Sequence, residues 1–254
     1  MDFVICASGD KGIRKKVNQD SFFVQKFETE TGNIALAVIC DGVSGSDCGE
    51  YASLSVAQAF AWWAYTSLPL LSQKNIEDCD MRLQWSRLIA AQNQSIYSHC
   101  TESGCTAGTT VTAMLLTEKR YYLLNIGDTR AYEIDGSMKQ LTVDHTVAAQ
   151  EVMKGNITAK EAKNSPMASV LTKCVGASPS AAPDFFFGDT KPGCTYLLCC
   201  DGFRHKITEK EICKEFLSCA KNYGEIKECQ EYLIALNKER NETDNISVIT
   251  VSAV

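Results

Sequence analysis

Histidine is scarce in this chain of 254 residues, with only three, and so are tryptophan, with three, and proline, with five. So few histidines cannot build a His-rich phosphoesterase centre. No repeat and no Pro-, Gly- or Ser-rich stretch divides the sequence, which predicts one domain over residues 1–254. Positive charge is not in excess either. The 25 Lys and Arg stand against 31 Asp and Glu, giving a formal net charge of −6. Without a basic stripe, nucleic acid is not an expected partner. Long hydrophobic runs are also missing: Ile34–Cys40 and Tyr196–Cys200 fall far short of a membrane-spanning helix, so no membrane association is expected. The opening residues, Met1-Asp2-Phe3-Val4-Ile5-Cys6, lack the basic segment and extended apolar run of a signal peptide.

Absent motifs narrow the chemistry further. No cysteine is followed six residues later by arginine, which excludes a thiolate phosphatase loop. No Gly-x-Ser-x-Gly elbow, Walker loop or His-Glu-x-x-His occurs. Asp78-Cys79-Asp80 looks like an aspartyl-nucleophile pair, but it precedes a helical pattern instead of ending an apolar strand. No Cys-x-x-Cys pair marks a zinc site among the thirteen cysteines. Those cysteines lie in apolar runs (Cys40, Cys199, Cys200) or helix-like stretches (Cys213, Cys219, Cys229), which predicts reduced, mostly buried thiols in a cytoplasm.

What is present is a globular composition, 45% hydrophobic and 22% charged, able to bury a sizeable core. Strand-like runs occupy 3–7, 22–27, 34–40, 109–116, 120–126, 131–134, 139–141, 195–200 and 246–251. Several are continuously apolar, the pattern of strands buried on both faces. Asp135-Gly136 predicts a hairpin turn, as does the stretch from Glu30 to Asn33. Helical patterns lie at 49–65, 81–100, 208–219 and 225–239. In the second, Leu83, Leu88, Ala91 and Ser95 with Ile96 suggest the buried stripe; Thr208 and Glu211 form a capping-box signature before the third. Hairpin-linked strands with helices in groups of two predict an antiparallel α+β architecture.

Aspartates recur where strands end or begin. Asp41-Gly42 follows one apolar run, Gly127-Asp128 another, and Asp201-Gly202 a third, while Asn18-Gln19-Asp20 and Asp244-Asn245 precede strands. Each alone reads most simply as a hydrogen-bonded turn. Five together point to a shared site, because carboxylates brought close repel unless a cation neutralises them. Oxygen-only donors select Mg2+ or Mn2+ over zinc or copper. Two such ions lower the pKa of a bound water and clamp the oxygens of phosphoryl transfer. The small Gly42 would let its own carbonyl approach a metal.

At these residues the chain resembles the PP2C-type (PPM) serine/threonine phosphatases, in particular their compact bacterial branch. Seven segments follow the family's order: Arg14–Ser21, Asp41–Gly45 continuing to Gly49–Ser53, Gly108–Thr110, Asn125–Tyr132, Leu141–Thr146, Cys200–Gly202 and Asp244–Val248. Gly155–Ala162 and Leu171–Gly176 look like the family's flap and following strand. The resemblance implies a central β-sandwich of two antiparallel sheets flanked by helix pairs, a four-layer αββα fold with the metals at one end. It also implies hydrolysis of phosphoserine and phosphothreonine in proteins by a water held between two Mn2+ or Mg2+ ions, with no covalent intermediate. Carried over by position, Asp41 bridges both ions, with Asp201 and Asp244 on the first and Asp20 and the Gly42 carbonyl on the second. Asp128 with Asp201 holds a weaker third. Asp41 and Asp201 are thus the residues nearest the chemistry.

The chain also departs from the family. The arginine that holds substrate phosphate falls, by spacing, on Lys15, while Arg14 sits one residue earlier. Arg14 is preferred, because a planar guanidinium matches phosphate bidentately. Val43 stands where eukaryotic members carry a histidine, and Cys200 replaces a serine and is expected to be inert. His145 is expected to be structural and His205 exposed, and Trp62, Trp63 and Trp85 to pack. A pseudophosphatase with the same fold is the alternative reading; retention of all the metal carboxylates argues against it. A regulatory phosphatase acting on an anti-sigma-factor antagonist is a further one, though no sensor segment is evident. A monomer acting on the products of a serine/threonine kinase is the expectation.

Overall fold

The computed structural model describes residues 1–43, 45–219 and 221–254; Ser44, inside the Asp41–Gly45 segment, and Ala220 lie outside the described residues. In chain order the strands are β1 (Phe3–Asp10), β2 (Asp20–Thr29), β3 (Gly32–Asp41), β4 (Val111–Leu116), β5 (Arg120–Ile126), β6 (Arg130–Asp135), β7 (Ser137–Gln140), β8 (Asp184–Asp189), β9 (Thr195–Cys199) and β10 (Ile246–Ala253). The helices are α1 (Gly49–Thr66), α2 (Leu68–Leu71), α3 (Asp78–Ser103), α4 (Val147–Met153), α5 (Ala159–Lys163), α6 (Asp201–Arg204), α7 (Glu209–Ser218) and α8 (Tyr223–Glu239).

Two antiparallel sheets result, ordered β1-β10-β9-β6-β7 and β2-β3-β4-β5-β8. Strand β3 shows why its apolar run is unbroken. Successive side chains point to opposite faces. Ala35, Ala37 and Ile39 pack into the core shared with β9 and β10, while Ile34, Leu36, Val38 and Cys40 pack beneath α1 and α3. Helices α7 and α8 cover the other sheet through Ile212, Phe216, Ile226 and Leu233. The layers are therefore α, β, β, α, as the resemblance implied. Among the described residues no helix is long and apolar enough to cross a membrane.

Four sequence expectations change. The buried face of α3 is Met81, Trp85, Ile89, Asn93, Ile96 and Cys100; of the expected stripe Ile96 lies in it and Leu88 packs at its margin, while Leu83 is 49% exposed. Asn93 can sit in that face because its amide donates to the Ser178 carbonyl and accepts the Gly176 N–H. Trp62 is 73% exposed, whereas Trp63 and Trp85 are buried and meet edge to face. Leu171–Gly176 forms only isolated bridges, Thr146 with Leu171 and Thr109 with Val175, and the following strand is β8. Asp78 begins α3 itself, where its carboxylate takes Nε of Arg120 at 2.7 Å.

Candidate metal centre

Hairpin β2–β3 brings the first two carboxylates together. Asp20, the first residue of β2, lies directly opposite Asp41, the last of β3. The Asp41 backbone is held from both sides. Its N–H donates to Thr110 Oγ1 at 3.0 Å, and its carbonyl accepts the Thr110 N–H at 2.8 Å and Thr109 Oγ1 at 3.0 Å. Gly42 follows in a place no other residue fits, since a Cβ there would lie 2.6 Å from the Gly49 carbonyl oxygen and 2.7 Å from that of Gln19.

The other sheet supplies the remaining groups. Asp201 opens α6 straight after β9, and a Cβ on the next residue, Gly202, would stand 2.1 Å from the Asn245 carbonyl oxygen. That closeness sets the β9–α6 corner against the turn carrying Asp244. Asn245 then fastens the loop between β1 and β2: it accepts the Gln19 N–H at 2.9 Å and donates to the carbonyls of Lys11 at 2.9 Å and Val17 at 3.2 Å. Arg14, exposed, and Lys15 lie on this loop; Lys15 Nζ is 2.8 Å from Asp244 Oδ1.

Asp20, Asp41 and Cys200 each direct one donor atom into a space where all three lie within 4.8 Å of one another. Both carboxylate oxygens of Asp20 are buried and, among the described residues, find no hydrogen-bond partner. Burial, then the charge of Asp201, pushes Asp20 up to about 7, although the neighbouring Ser247 hydroxyl works against that rise. Burial raises Asp41 well above the carboxylate range, with Asp20, Asp201, Asp128 and Asp244 adding to it in that order. Asp41 thus feels the other four aspartates predicted for the site. Burial and Asp201 likewise bring Asp128 to about 7. Orphaned carboxylate oxygens in an acidic, oxygen-rich cluster fit hard divalent cations. Cys200 does not add a soft donor: burial and then Asp20 raise its thiol well above its usual range, and the thiol donates to the Asn245 carbonyl while accepting the Ser247 N–H at 3.1 Å.

Three neighbours escaped sequence reasoning. Arg204 Nη2 donates to the Asp128 carbonyl at 2.9 Å and lies 3.5 Å from its carboxylate, an internal counter-charge. His205, which caps the C-terminal end of α6, turns back to Asp201 at 3.4 Å; its i,i+4 spacing was the available signal. Asp184 stands 3.0 Å from Nε2 of His145, whose Nδ1 accepts the Gly127 N–H at 3.1 Å, so buried His145 is structural as expected.

A carboxylate cluster at the edge of an αββα sandwich defines a binding centre for hard metal ions. The chain belongs to the protein phosphatase 2C family, whose profile matches residues 9–235. It is 30% identical over 245 residues to a protein of Streptococcus pyogenes serotype M6 named as protein phosphatase 2C-type, covering 95% of this chain and 94% of that protein. The structure of the S. agalactiae serine/threonine phosphatase matches with a TM-score of 0.85 at 25% identity, over 100% of both chains. The catalytic domain of the serine/threonine phosphatase PstP, in complex with two manganese ions, matches with a TM-score of 0.78 at 26% identity over 98% of this chain and 97% of that one.

Proposed function

We propose that the chain is a Mn2+- or Mg2+-dependent protein phosphatase that hydrolyses phosphoserine and phosphothreonine in proteins. The observation that carries this reading is the Asp20 carboxylate, buried and unpartnered beside Asp41. A carboxylate in that condition is costly unless a cation completes it. Asp41 would bridge two cations, Asp201 and Asp244 would complete the first, and Asp20 and the Gly42 carbonyl the second. Asp128 with Asp201 would hold a third, weakly, because the Arg204 guanidinium 3.5 Å away competes with a cation for the Asp128 carboxylate.

When bound, two such ions supply an activated water and clamp the oxygens of an in-line displacement. The protein's own part is to hold the five carboxylates in place and to orient the phosphoryl group. Arg14, on the loop tied down by Asn245, is the residue for the substrate phosphate, through paired charge-assisted hydrogen bonds. Lys15 instead sits against Asp244. One catalytic domain over residues 1–254, acting as a monomer on the products of a serine/threonine kinase, completes the reading. The thirteen free cysteines favour the cytoplasm.

The test is hydrolysis of p-nitrophenyl phosphate and a phosphothreonine peptide with Mn2+, Mg2+ or EDTA, beside Asp41→Asn. Metal-dependent turnover that vanishes in the variant is expected. No turnover by the folded wild type with any metal would instead leave a binding module that kept its carboxylates.

A further inference from the structure

His205 and Glu242 join two of the aspartates assigned to the cation. His205 follows the last residue of α6, one turn after Asp201, and its Nε2 lies 3.4 Å from Asp201 Oδ2. Its Nδ1 lies 3.4 Å from Glu242 Oε2. Glu242 is 3% exposed, and its second oxygen, Oε1, accepts the N–H groups of Thr243 at 2.7 Å and Asp244 at 2.9 Å. Oε2 is buried, makes no hydrogen bond among the described residues, and faces the imidazole. A continuous path therefore runs from the Asp201 carboxylate through the ring to Glu242 and on to the Asp244 backbone.

Both ends of this path are anchored. Asn241 takes a left-handed conformation with φ 61°, and the Glu242 N–H closes onto the Asn237 carbonyl at 2.9 Å, fixing Glu242 to the end of α8. The Asn237 amide reaches across to the Phe203 carbonyl of α6 at 2.9 Å. Helices α6 and α8 are thus coupled beside the site, with His205 spanning the gap between them. An ion pair open to solvent does little for stability alone. One that orients a ligand carboxylate acts on the metal instead.

Resting on the cation reading above, we propose that His205 and Glu242 are a positioning pair that sets Asp201 and Asp244 at the spacing one metal ion requires. Neither touches substrate; both act through the aspartates.

Titration calorimetry of Mn2+ into the full chain tests this, beside urea unfolding in EDTA. His205→Ala is expected to weaken Mn2+ binding about ten- to a hundredfold with little change in the metal-free urea midpoint. His205→Gln, which keeps an N–H within reach of Asp201, recovers most of that affinity. Glu242→Gln weakens it too, and the double variant His205→Ala/Glu242→Gln binds no worse than the poorer single one, because the two act as a unit. Wild-type affinity in His205→Ala, or losses that multiply in the double variant, overturn the pairing. If His205→Ala does not fold, the comparison of Glu242→Gln with wild type decides, and unchanged affinity there overturns it equally. A wild-type protein that binds no Mn2+ removes the cation reading itself, and this inference with it.

Discussion

Asp20 and Asp41 face each other as direct cross-strand partners at the open end of the β2–β3 hairpin. Side chains so paired stand about 5 Å apart at Cβ, and like charges there oppose pairing. Sheet formation thus forces together two groups that the metal-free protein would rather protonate. Asp20 is raised to about 7, above its unfolded value of 3.8, so its contribution to stability is complete below about pH 4 and is lost as pH rises through about 7. Asp41 moves in the same direction. In EDTA, the urea midpoint should therefore fall between pH 5 and pH 8, and millimolar Mn2+ should restore it at pH 8. Asp41→Asn should flatten the fall while abolishing turnover. A midpoint in EDTA that rises over that range would count against the shared site.

The Gly202–Asn245 contact gives a steric prediction. With a Cβ only 2.1 Å from a backbone oxygen, Gly202→Ala must push α6 away from the turn before β10. Overpacking of this kind costs about 1–3 kcal/mol. The displaced elements carry Asp201 and Asp244, so the loss of metal affinity should exceed what the stability change explains. Paired denaturation and Mn2+ titration curves separate the two effects.

The aspartates were legible because each ends or precedes an apolar strand, and strand ends gather at the rim of a sandwich. The strands were legible for a related reason: β3, β5 and β9 are buried on both faces and carry continuous apolar runs, 34–40, 121–124 and 196–199. The face of α3 was not. Its buried stripe contains Asn93, whose polar amide is satisfied by loop atoms far along the chain, while apolar Leu83 is left outside. Strand β8 escaped because its three consecutive phenylalanines break the alternation of a one-sided strand while its edge position leaves it half-exposed. Arg204 and His205 look like ordinary polar residues after a turn; the approach of α6 to Asp128 and Glu242, distant in sequence, gives each a partner that spacing does not reveal.

Asn245 makes a further prediction. Its side chain carries three hydrogen bonds to the backbone of residues 11–19, and Asn245→Ala leaves those groups without them. Leaving buried backbone groups unpaired costs about 1–3 kcal/mol each when water does not replace the partner. The variant should unfold at lower urea concentration and, where folded, show a higher KM for a phosphopeptide. An unchanged KM would mean that the loop does not meet substrate.

Arg14 and Lys15 are adjacent on that loop yet placed differently, and kinetics should separate them. Lys15 holds Asp244 at 2.8 Å, whereas Arg14 is exposed on the same loop. If Arg14 receives the phosphate, Arg14→Ala forfeits a charged hydrogen-bonding pair, a loss of about 1.5–3 kcal/mol, or about ten- to a hundredfold in kcat/KM. Arg14→Lys should recover only part of it, because an ammonium cannot bind two phosphate oxygens through a planar fork. Lys15→Ala should act instead on the Mn2+ concentration needed for half-maximal rate, and lower it, since the ammonium competes with a cation for Asp244. Measuring kcat/KM at saturating Mn2+, and the Mn2+ dependence at fixed substrate, assigns each residue. If Lys15→Ala loses kcat/KM at saturating metal while Arg14→Ala does not, the phosphate-binding role passes to Lys15.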